Sequence, residues 1–227
     1  MWFPRFLSVR IAAVAFAGLA LCVAGAAQTA VQDRWEEDIA AFEAADLQQA
    51  PPREGIVFIG SSSIRLWKLD DYFSGLPVVN RGFGGSQLAD SVRYADRILL
   101  PYKPKVVVLY AGDNDINAGE SPEKVAGDFK EFVSKVHGAL PETRIIFIAI
   151  KPSIQRWHLV ETMRRANGLI REVIETDPRL VYVDIDAPML GADGKPRPEL
   201  FLEDGLHMQP AGYDIWAALL RPHLTLE

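Results

Sequence analysis

The strongest constraint on the fold is a repeated alternation of short apolar segments with segments of helical periodicity. Residues 105–110 are apolar after the first position and include three consecutive valines, which is typical of a strand covered on both faces of a sheet. Comparable runs begin at about Ile56, Leu76, Arg144 and Leu180. Between these runs, apolar residues recur every three or four positions, as in amphipathic helices. The pattern predicts one α/β domain whose parallel sheet has helices on both faces.

The ends of the domain follow from helix signals. Residues 31–49 are predicted to form an N-terminal helix, which Pro51 and Pro52 end. The core is expected to run from about residue 56 to about residue 222. A loop rich in glycine, proline and charge covers residues 186–205, and a last helix is predicted to begin at Pro210. No internal repeat or low-complexity linker divides the chain, so a single domain at residues 28–227 accounts for it.

The first 27 residues have the composition of a secretory signal peptide. Arg5 and Arg10 precede an alanine-rich apolar run at residues 11–26, and Ala24-Gly25-Ala26 fits the small-residue cleavage rule. A retained membrane anchor is the competing interpretation, but the run is short for a membrane span. Export to the periplasm or the medium is therefore expected.

Charge and cysteine content exclude several classes of function. The formal net charge of −6 becomes −8 when the two arginines of the leader are removed, and an acidic domain is a poor match for nucleic acid or anionic membranes. The only cysteine, Cys22, lies in the leader, where Leu21 disfavours lipidation. The mature protein would contain no thiol for a disulfide, a metal site or a nucleophile. No metal and no cofactor is expected, and the oligomeric state is left open.

Four glycine-containing turns are predicted to meet at one edge of the sheet. They cover residues 60–63, 82–85, 112–115 and 204–207, after strands or just before the last helix. In open α/β sheets, ligands bind beyond the carboxyl ends of the strands. Each turn also has an ordinary structural explanation, since serine and asparagine commonly cap helices or loops. The four together contain the groups that acyl transfer by a serine requires.

The most informative pair in these turns is Asp204 and His207. Of the four histidines, His207 has a carboxylate three residues earlier on a compact turn, so that carboxylate could orient the ring and stabilise the imidazolium. The side-chain amide of Asn114 could donate to an oxyanion, and a glycine in the second turn could present a backbone N–H without obstruction.

At these residues the sequence resembles the SGNH, or GDSL-type, hydrolases, a family named for its Ser, Gly, Asn and His. The segments Phe-Ile-Gly-Ser-Ser-Ser-Ile, Asn-Arg-Gly-Phe-Gly-Gly-Ser, Gly-Asp-Asn-Asp and Asp-Gly-Leu-His are similar to the four family blocks, in order. The resemblance implies that Ser62 is the nucleophile and that Asp204 and His207 are the acid and base. It implies an oxyanion hole made by Ser62, Gly85 and Asn114. It also implies a flavodoxin-like three-layer α/β/α sandwich with strand order 2-1-3-4-5, and hydrolysis of a small-molecule ester without a cofactor.

One position departs from the family pattern, because Ser61 stands where the family has an aspartate. We expect Ser61 to support the nucleophile by a hydrogen bond and Ser63 to cap the helix that follows.

The substrate is less constrained than the reaction. Residues expected to shape the pocket are Trp67, Lys151, Arg156 and Trp157. Short-chain or acetyl esters are the first expectation, with thioesters and lysophospholipids as alternatives. A non-catalytic, exported protein that binds carbohydrate or envelope components is a further alternative, which the complete catalytic set disfavours.

Overall fold

The computed structural model describes residues 1, 2 and 34–226. The predicted signal peptide, Cys22 and the first residues of the predicted N-terminal helix lie outside the described residues. From Arg34 onward the chain forms one compact unit. The strands are β1 (Ile56–Gly60), β2 (Val78–Gly82), β3 (Val106–Tyr110), β4 (Arg144–Ile148) and β5 (Leu180–Val183). The α-helices are α1 (Glu36–Gln48), α2 (Ser62–Arg65), α3 (Leu69–Tyr72), α4 (Leu88–Ile98), α5 (Asp113–Asn117), α6 (Pro122–Ala139), α7 (Val160–Ile174) and α8 (Pro210–Leu220).

The five strands form one parallel sheet in the order β2-β1-β3-β4-β5. This confirms the predicted fold class and strand order. The strand segments were placed to within two residues, and α8 begins at Pro210 as expected. The N-terminal helix begins at Glu36 in the structure, and Trp35, Ile39 and Phe42 contribute to the core as the spacing predicted.

Alternate residues of each central strand enter two separate hydrophobic cores, which makes the fold a three-layer sandwich. On β1, Val57 and Ile59 face the layer formed by α1, α4, α6 and α7. Ile56 and Phe58 face the opposite layer, which contains α3 and α8. These strand residues are at most 1% exposed, so both faces of the sheet are covered, as continuous apolar runs require.

One helix boundary shows how the sequence defines a local structure. Ser121 precedes α6, and its hydroxyl oxygen accepts a hydrogen bond from the Lys124 backbone N–H at 3.1 Å. Pro122 occupies the first helical position, where no backbone donor is needed. Among the residues that the structure describes, no helix is both long enough and apolar enough to cross a membrane.

The sheet places the carboxyl ends of β1, β2 and β3 side by side. Gly60 lies opposite Gly82 on one side and Tyr110 on the other. The turns that follow these three strands therefore start level with one another, at the edge where open α/β sheets bind ligands.

Candidate active site

Ser62 is presented by a sharp turn between β1 and α2. Gly60 adopts a φ of +137°, and a Cβ at this position would lie 1.9 Å from the Tyr110 carbonyl oxygen. Only glycine can adopt this positive φ and leave room for the Tyr110 carbonyl. The Ser61 N–H then donates to the same carbonyl at 3.0 Å, and Ser62 begins α2 half-buried at the edge of the sheet.

The turn that contains Asp204 and His207 closes onto Ser62 from the loop before α8. The backbone N–H groups of Leu206 and His207 donate to Asp204 Oδ1 at 2.8 and 2.9 Å. Asp204 Oδ2 lies 2.6 Å from His207 Nδ1, and His207 Nε2 lies 3.1 Å from Ser62 Oγ. The structure therefore brings the three residues into one hydrogen-bonded chain, although Ser62 and His207 are 145 positions apart.

The electrostatics of this turn keep its carboxylate ionised. Burial opposes ionisation, but hydrogen bonds from the His207 ring and from the N–H groups of Leu206 and His207 lower the pKa of Asp204 to about 2. An ionised carboxylate at this distance accepts a hydrogen bond from Nδ1–H, and in the neutral ring with that tautomer Nε2 carries the lone pair that faces Ser62 Oγ.

Asn114 and Gly85 lie at the same cavity as Ser62 and His207. Arg156 Nη2 donates to Asn114 Oδ1 at 3.0 Å, and Asn114 Nδ2 donates to the Ser86 carbonyl at 2.9 Å. Because a guanidinium can only donate, the amide orientation is determined by its neighbours. An NH₂ group has two donors, so one N–H of Asn114 remains available after the bond to Ser86.

The family resemblance implies that Asn114 donates to an oxyanion, so we expect Asn114→Ala to lower kcat by roughly 10²–10³ with little change in KM, the usual effect of losing one such donor. Asn117→Ala is the matched control, since Asn117 lines the same cavity from the other end of α5. Steady-state kinetics with a single ester would test this. A raised KM at constant kcat would show that Asn114 binds the ground state instead.

Lys151 does not line the cavity, contrary to the sequence prediction. It is 1% exposed, and its Nζ lies 3.2 Å from Ser63 Oγ, 3.0 Å from Tyr110 Oη and 3.1 Å from Asp113 Oδ2. Burial lowers the pKa of Lys151, although Asp113 opposes that shift. Lys151 was expected at the cavity because it follows β4 at the carboxyl edge of the sheet. The chain after β4 stays buried through residues 149–153, so the side chain lies in the interior. Lys151 supports the floor beneath the nucleophile turn.

Two predicted pocket tryptophans are also elsewhere. Trp67 is 2% exposed and packs among Phe58, Phe73 and Tyr213, with ring centroids 5.3 to 5.6 Å apart. Helix α2 has only four residues, so the chain after it turns back and buries this ring against the sheet. Trp157 lines a different surface depression. Arg156, by contrast, does line the cavity with Ser62 and His207.

The two serines beside Ser62 have roles other than those expected. Ser61, not Ser63, is the residue before α2, and it makes no side-chain capping bond. Its hydroxyl is buried without a hydrogen-bond partner among residues 34–226. Ser63 lies inside α2, and its hydroxyl accepts the bond from Lys151. The position of Ser63 in the first turn of α2, rather than before it, explains the wrong prediction of a helix cap.

The cavity itself has a volume of about 720 Å³. Sequence reasoning missed Arg34, Trp35 and Arg65, which line it. Arg65 could have been found, because it lies three residues after Ser62, one helical turn away. The other two belong to the segment before α1, and nothing in the local sequence links that segment to the edge of the sheet. The cavity-lining residues are Arg34, Trp35, Ser62, Arg65, Leu66, Gly84, Gly85, Gln87, Asn114, Asn117, Ala118, Arg156, Leu206 and His207.

Asp115 joins the Asn114 turn to the start of α4. Its Oδ1 accepts a hydrogen bond from the Leu88 N–H at 2.9 Å, and the residue is 1% exposed. Burial raises the pKa of Asp115 to about 6. The folded protein therefore binds this proton more tightly than the unfolded chain, whose aspartate pKa is about 3.9. Stability contributed by this group is lost as the pH rises from about 4 to about 6.

We predict that Asp115→Asn becomes more stable relative to wild type as the pH rises from 4 to 7. The relative change should be about 2–3 kcal/mol, from a difference of roughly two pKa units. Urea unfolding across that pH range measures it, with Asp70→Asn on the exposed side of α3 as the control. A relative stability that stays constant with pH would contradict the assignment.

The described residues contain no group of three or more His, Cys, Asp or Glu side chains arranged to hold a metal ion.

Comparison with known proteins identifies the family. A model of the GDSL-like lipase/acylhydrolase family matches residues 65–215. The platelet-activating factor acetylhydrolase IB subunit alpha1 of Bos taurus is 31% identical over 167 residues, which cover 70% of this chain and 69% of the relative. The human protein of the same name is 30% identical over the same length, with 70% of each chain covered.

Solved structures share the fold. A GDSL-like lipase from Bacteroides thetaiotaomicron superposes with a TM-score of 0.70 at 19% identity, over 82% of this chain and 97% of that chain. A catalytic mutant of an acetylxylan esterase from Geobacillus stearothermophilus gives a TM-score of 0.61 at 15% identity, over 78% and 96%. The family match begins just after Ser62 and includes the other three turns. The chain belongs to the GDSL-like lipase/acylhydrolase family.

Proposed function

We propose that this protein hydrolyses carboxylic esters through an acyl-enzyme formed on Ser62. The observation that carries the proposal is the hydrogen-bonded chain from Ser62 Oγ through the His207 ring to Asp204, with 3.1 and 2.6 Å separations. Nucleophile, base and orienting carboxylate at hydrogen-bond distance are the arrangement that serine acyl transfer requires.

In the proposed acylation step, Ser62 Oγ attacks the ester carbonyl carbon while His207 Nε2 accepts the hydroxyl proton. The carbonyl oxygen becomes an oxyanion, which the N–H groups of Ser62 and Gly85 and the remaining N–H of Asn114 stabilise. Asp204 stabilises the imidazolium. The C–O bond to the leaving group then breaks, and His207 donates its proton to the departing alkoxide, so the alcohol leaves neutral.

Deacylation repeats these steps with water as the nucleophile. The water oxygen attacks the acyl carbon while His207 accepts a proton from that water. The bond between the acyl carbon and Ser62 Oγ then breaks, and His207 returns the proton to Ser62 Oγ as the acid is released. No cofactor or metal takes part in the proposed scheme.

We propose short acyl groups, acetyl in particular, as the preferred acyl part. Relatives named as an acetylhydrolase and an acetylxylan esterase support this choice. The test is hydrolysis of p-nitrophenyl esters of increasing chain length, together with an acetyl thioester and a lysophospholipid. A kcat/KM that falls steadily beyond the acetyl or butyryl ester supports the proposal. A maximum at long chains, or with the thioester, would favour the alternative acyl hydrolases.

We also propose that the protein is exported and cleaved near Ala26 or Ala27. The sequence of the first 27 residues supports this proposal. N-terminal sequencing of protein from the periplasm or medium should then start near Ala27 or Gln28. Full-length protein found stably in the inner membrane would contradict it.

A further inference from the structure

We propose that the ester carries a negatively charged oxygen group, such as a carboxylate or a phosphate, which binds beside the glycine turn at residues 84–85. This inference rests on the proposed ester hydrolysis, and it narrows the substrate class. It starts from the charges at the cavity. Among the described residues, three arginines and no aspartate or glutamate line it, although the whole chain has a formal net charge of −6.

Arg156 already has partners within the protein. Its Nη1 lies 3.1 Å from Asp113 Oδ2, and its Nη2 donates to Asn114. Arg156 therefore holds the oxyanion donor in place, and it contributes less to the attraction of a ligand.

Arg34 and Arg65 are in a different situation. Neither guanidinium has a hydrogen-bond or carboxylate partner among residues 34–226, and both residues are exposed. Other partly exposed arginines of the chain, such as Arg97 and Arg164, each contact two carboxylates. These two guanidinium groups, which are unpaired in the described part of the chain, lie at the same cavity as Ser62, where an incoming anion could neutralise them.

The two guanidinium groups converge on adjacent glycines. A Cβ added at Gly85 would lie 2.9 Å from Arg34 Nη2. A Cβ added at Gly84 would lie 2.8 Å from Arg65 Nη1. A side chain at either glycine would therefore meet an arginine. Arg34 is also held in place, because its guanidinium stacks over the Trp35 ring at 4.9 Å.

Trp35 connects the segment that carries Arg34 to the glycine turn at residues 84–85. Its Nε1–H donates to the Gly84 carbonyl at 3.0 Å, and its ring contacts Phe83 edge-on at 6.1 Å. Two like charges around one short backbone segment repel each other, and an anion between them removes that repulsion. Guanidinium groups match carboxylate and phosphate oxygens by paired N–H donors. An anionic oxygen group is the ligand that satisfies both arginines next to the reacting carbonyl.

The test compares esters that differ in charge. The neutral probe is 4-acetoxybenzamide, and the anionic probes are 4-acetoxybenzoate and 4-acetoxyphenyl phosphate. The measured quantity is the ratio of kcat/KM for each anionic ester to that for the neutral ester. The variants are Arg34→Gln, Arg65→Gln and the double variant. Arg171→Gln is the control, because it removes the same charge from an exposed position on α7.

We expect each single substitution to lower the ratio by about fivefold, the upper range for an exposed ion pair, and the double variant to lower it further. The control should leave the ratio unchanged. Raising the salt concentration should lower the ratio in the wild type, because counterions screen exposed charges. The ratios for 4-acetoxybenzoate and 4-acetoxyphenyl phosphate are compared in each arginine variant. The ester whose ratio falls more identifies the anion type, carboxylate or phosphate, that the arginines bind better.

The outcomes separate this inference from the proposed function. Hydrolysis of all probes with a ratio that the arginine substitutions do not change would overturn the anion assignment alone. Absence of hydrolysis of every probe by the wild type would overturn the proposed function and this inference with it. An equal fall of the ratio in Arg171→Gln would also overturn it, because net charge would then explain the effect.

Discussion

Ser62→Ala is expected to lower kcat for ester hydrolysis by roughly 10⁴–10⁶, the loss that follows removal of the nucleophile from a serine triad. In the proposed mechanism the Ser62 hydroxyl oxygen forms the covalent bond to the acyl group, and neither adjacent serine is placed to replace it. Ser63 Oγ is turned toward Lys151 in the interior. Folding should be retained, because Ser62 is only half-buried and its hydroxyl bonds to the His207 ring at the edge of the sheet.

The neighbouring serines provide matched controls in the same turn. Ser63→Ala removes an acceptor from buried Lys151 and should lower the free energy of unfolding by about 1–2 kcal/mol. Ser61→Ala removes a buried hydroxyl that has no partner in the described part of the chain, so it should change stability little. Both variants should retain most of the esterase activity. Activity retained in Ser62→Ala, or lost equally in all three variants, would contradict the assignment of the nucleophile.

Asp204→Asn is expected to lower kcat by roughly 10³–10⁴, with a small effect on KM. The amide cannot hold the imidazole in the tautomer with its proton on Nδ1, and it cannot stabilise the imidazolium in the transition state. Glu203→Gln is the control, because it removes a carboxylate from the adjacent exposed position. An unchanged kcat would exclude Asp204 from the triad.

The pH profile gives a second measurement of the same residue. The pKa of Asp204 is lowered to about 2, so this carboxylate stays ionised at every pH at which the enzyme can be assayed. The kcat of the wild type should therefore show no inflection between pH 3 and 5, the range in which an ordinary aspartate of pKa about 3.9 titrates. An inflection in that range would contradict this account.

The fold was predictable because the strands are short, mostly apolar and ended by turns that contain small or polar residues. Strand β3 illustrates this, since residues 106–110 are fully apolar except for the Tyr110 hydroxyl, and the strand is followed by Ala111 and Gly112. The strand order was implied only by the family resemblance, because one apolar strand looks like another when both its faces are covered.

The positions of the catalytic candidates relative to each other were also anticipated, but their surroundings were not. Burial of Trp67 and Lys151 depends on where the chain goes after a four-residue helix and after β4. Local patterns do not determine such directions, since the sheet and α8 provide the packing partners. Arg34 is an extreme case. It precedes α1, far in sequence from the turns, and reaches the cavity only because α1 packs beside α4.

Labelling with a fluorophosphonate tests the central claim most directly, because the reagent forms a bond only with a serine oxygen that a neighbouring base has activated. Intact-mass measurement followed by peptide mapping would locate the adduct. We predict one adduct per chain, on Ser62, with labelling strongly reduced in His207→Ala and absent in Ser62→Ala. An adduct on Ser61 or Ser63, or labelling that persists in Ser62→Ala, would contradict the account.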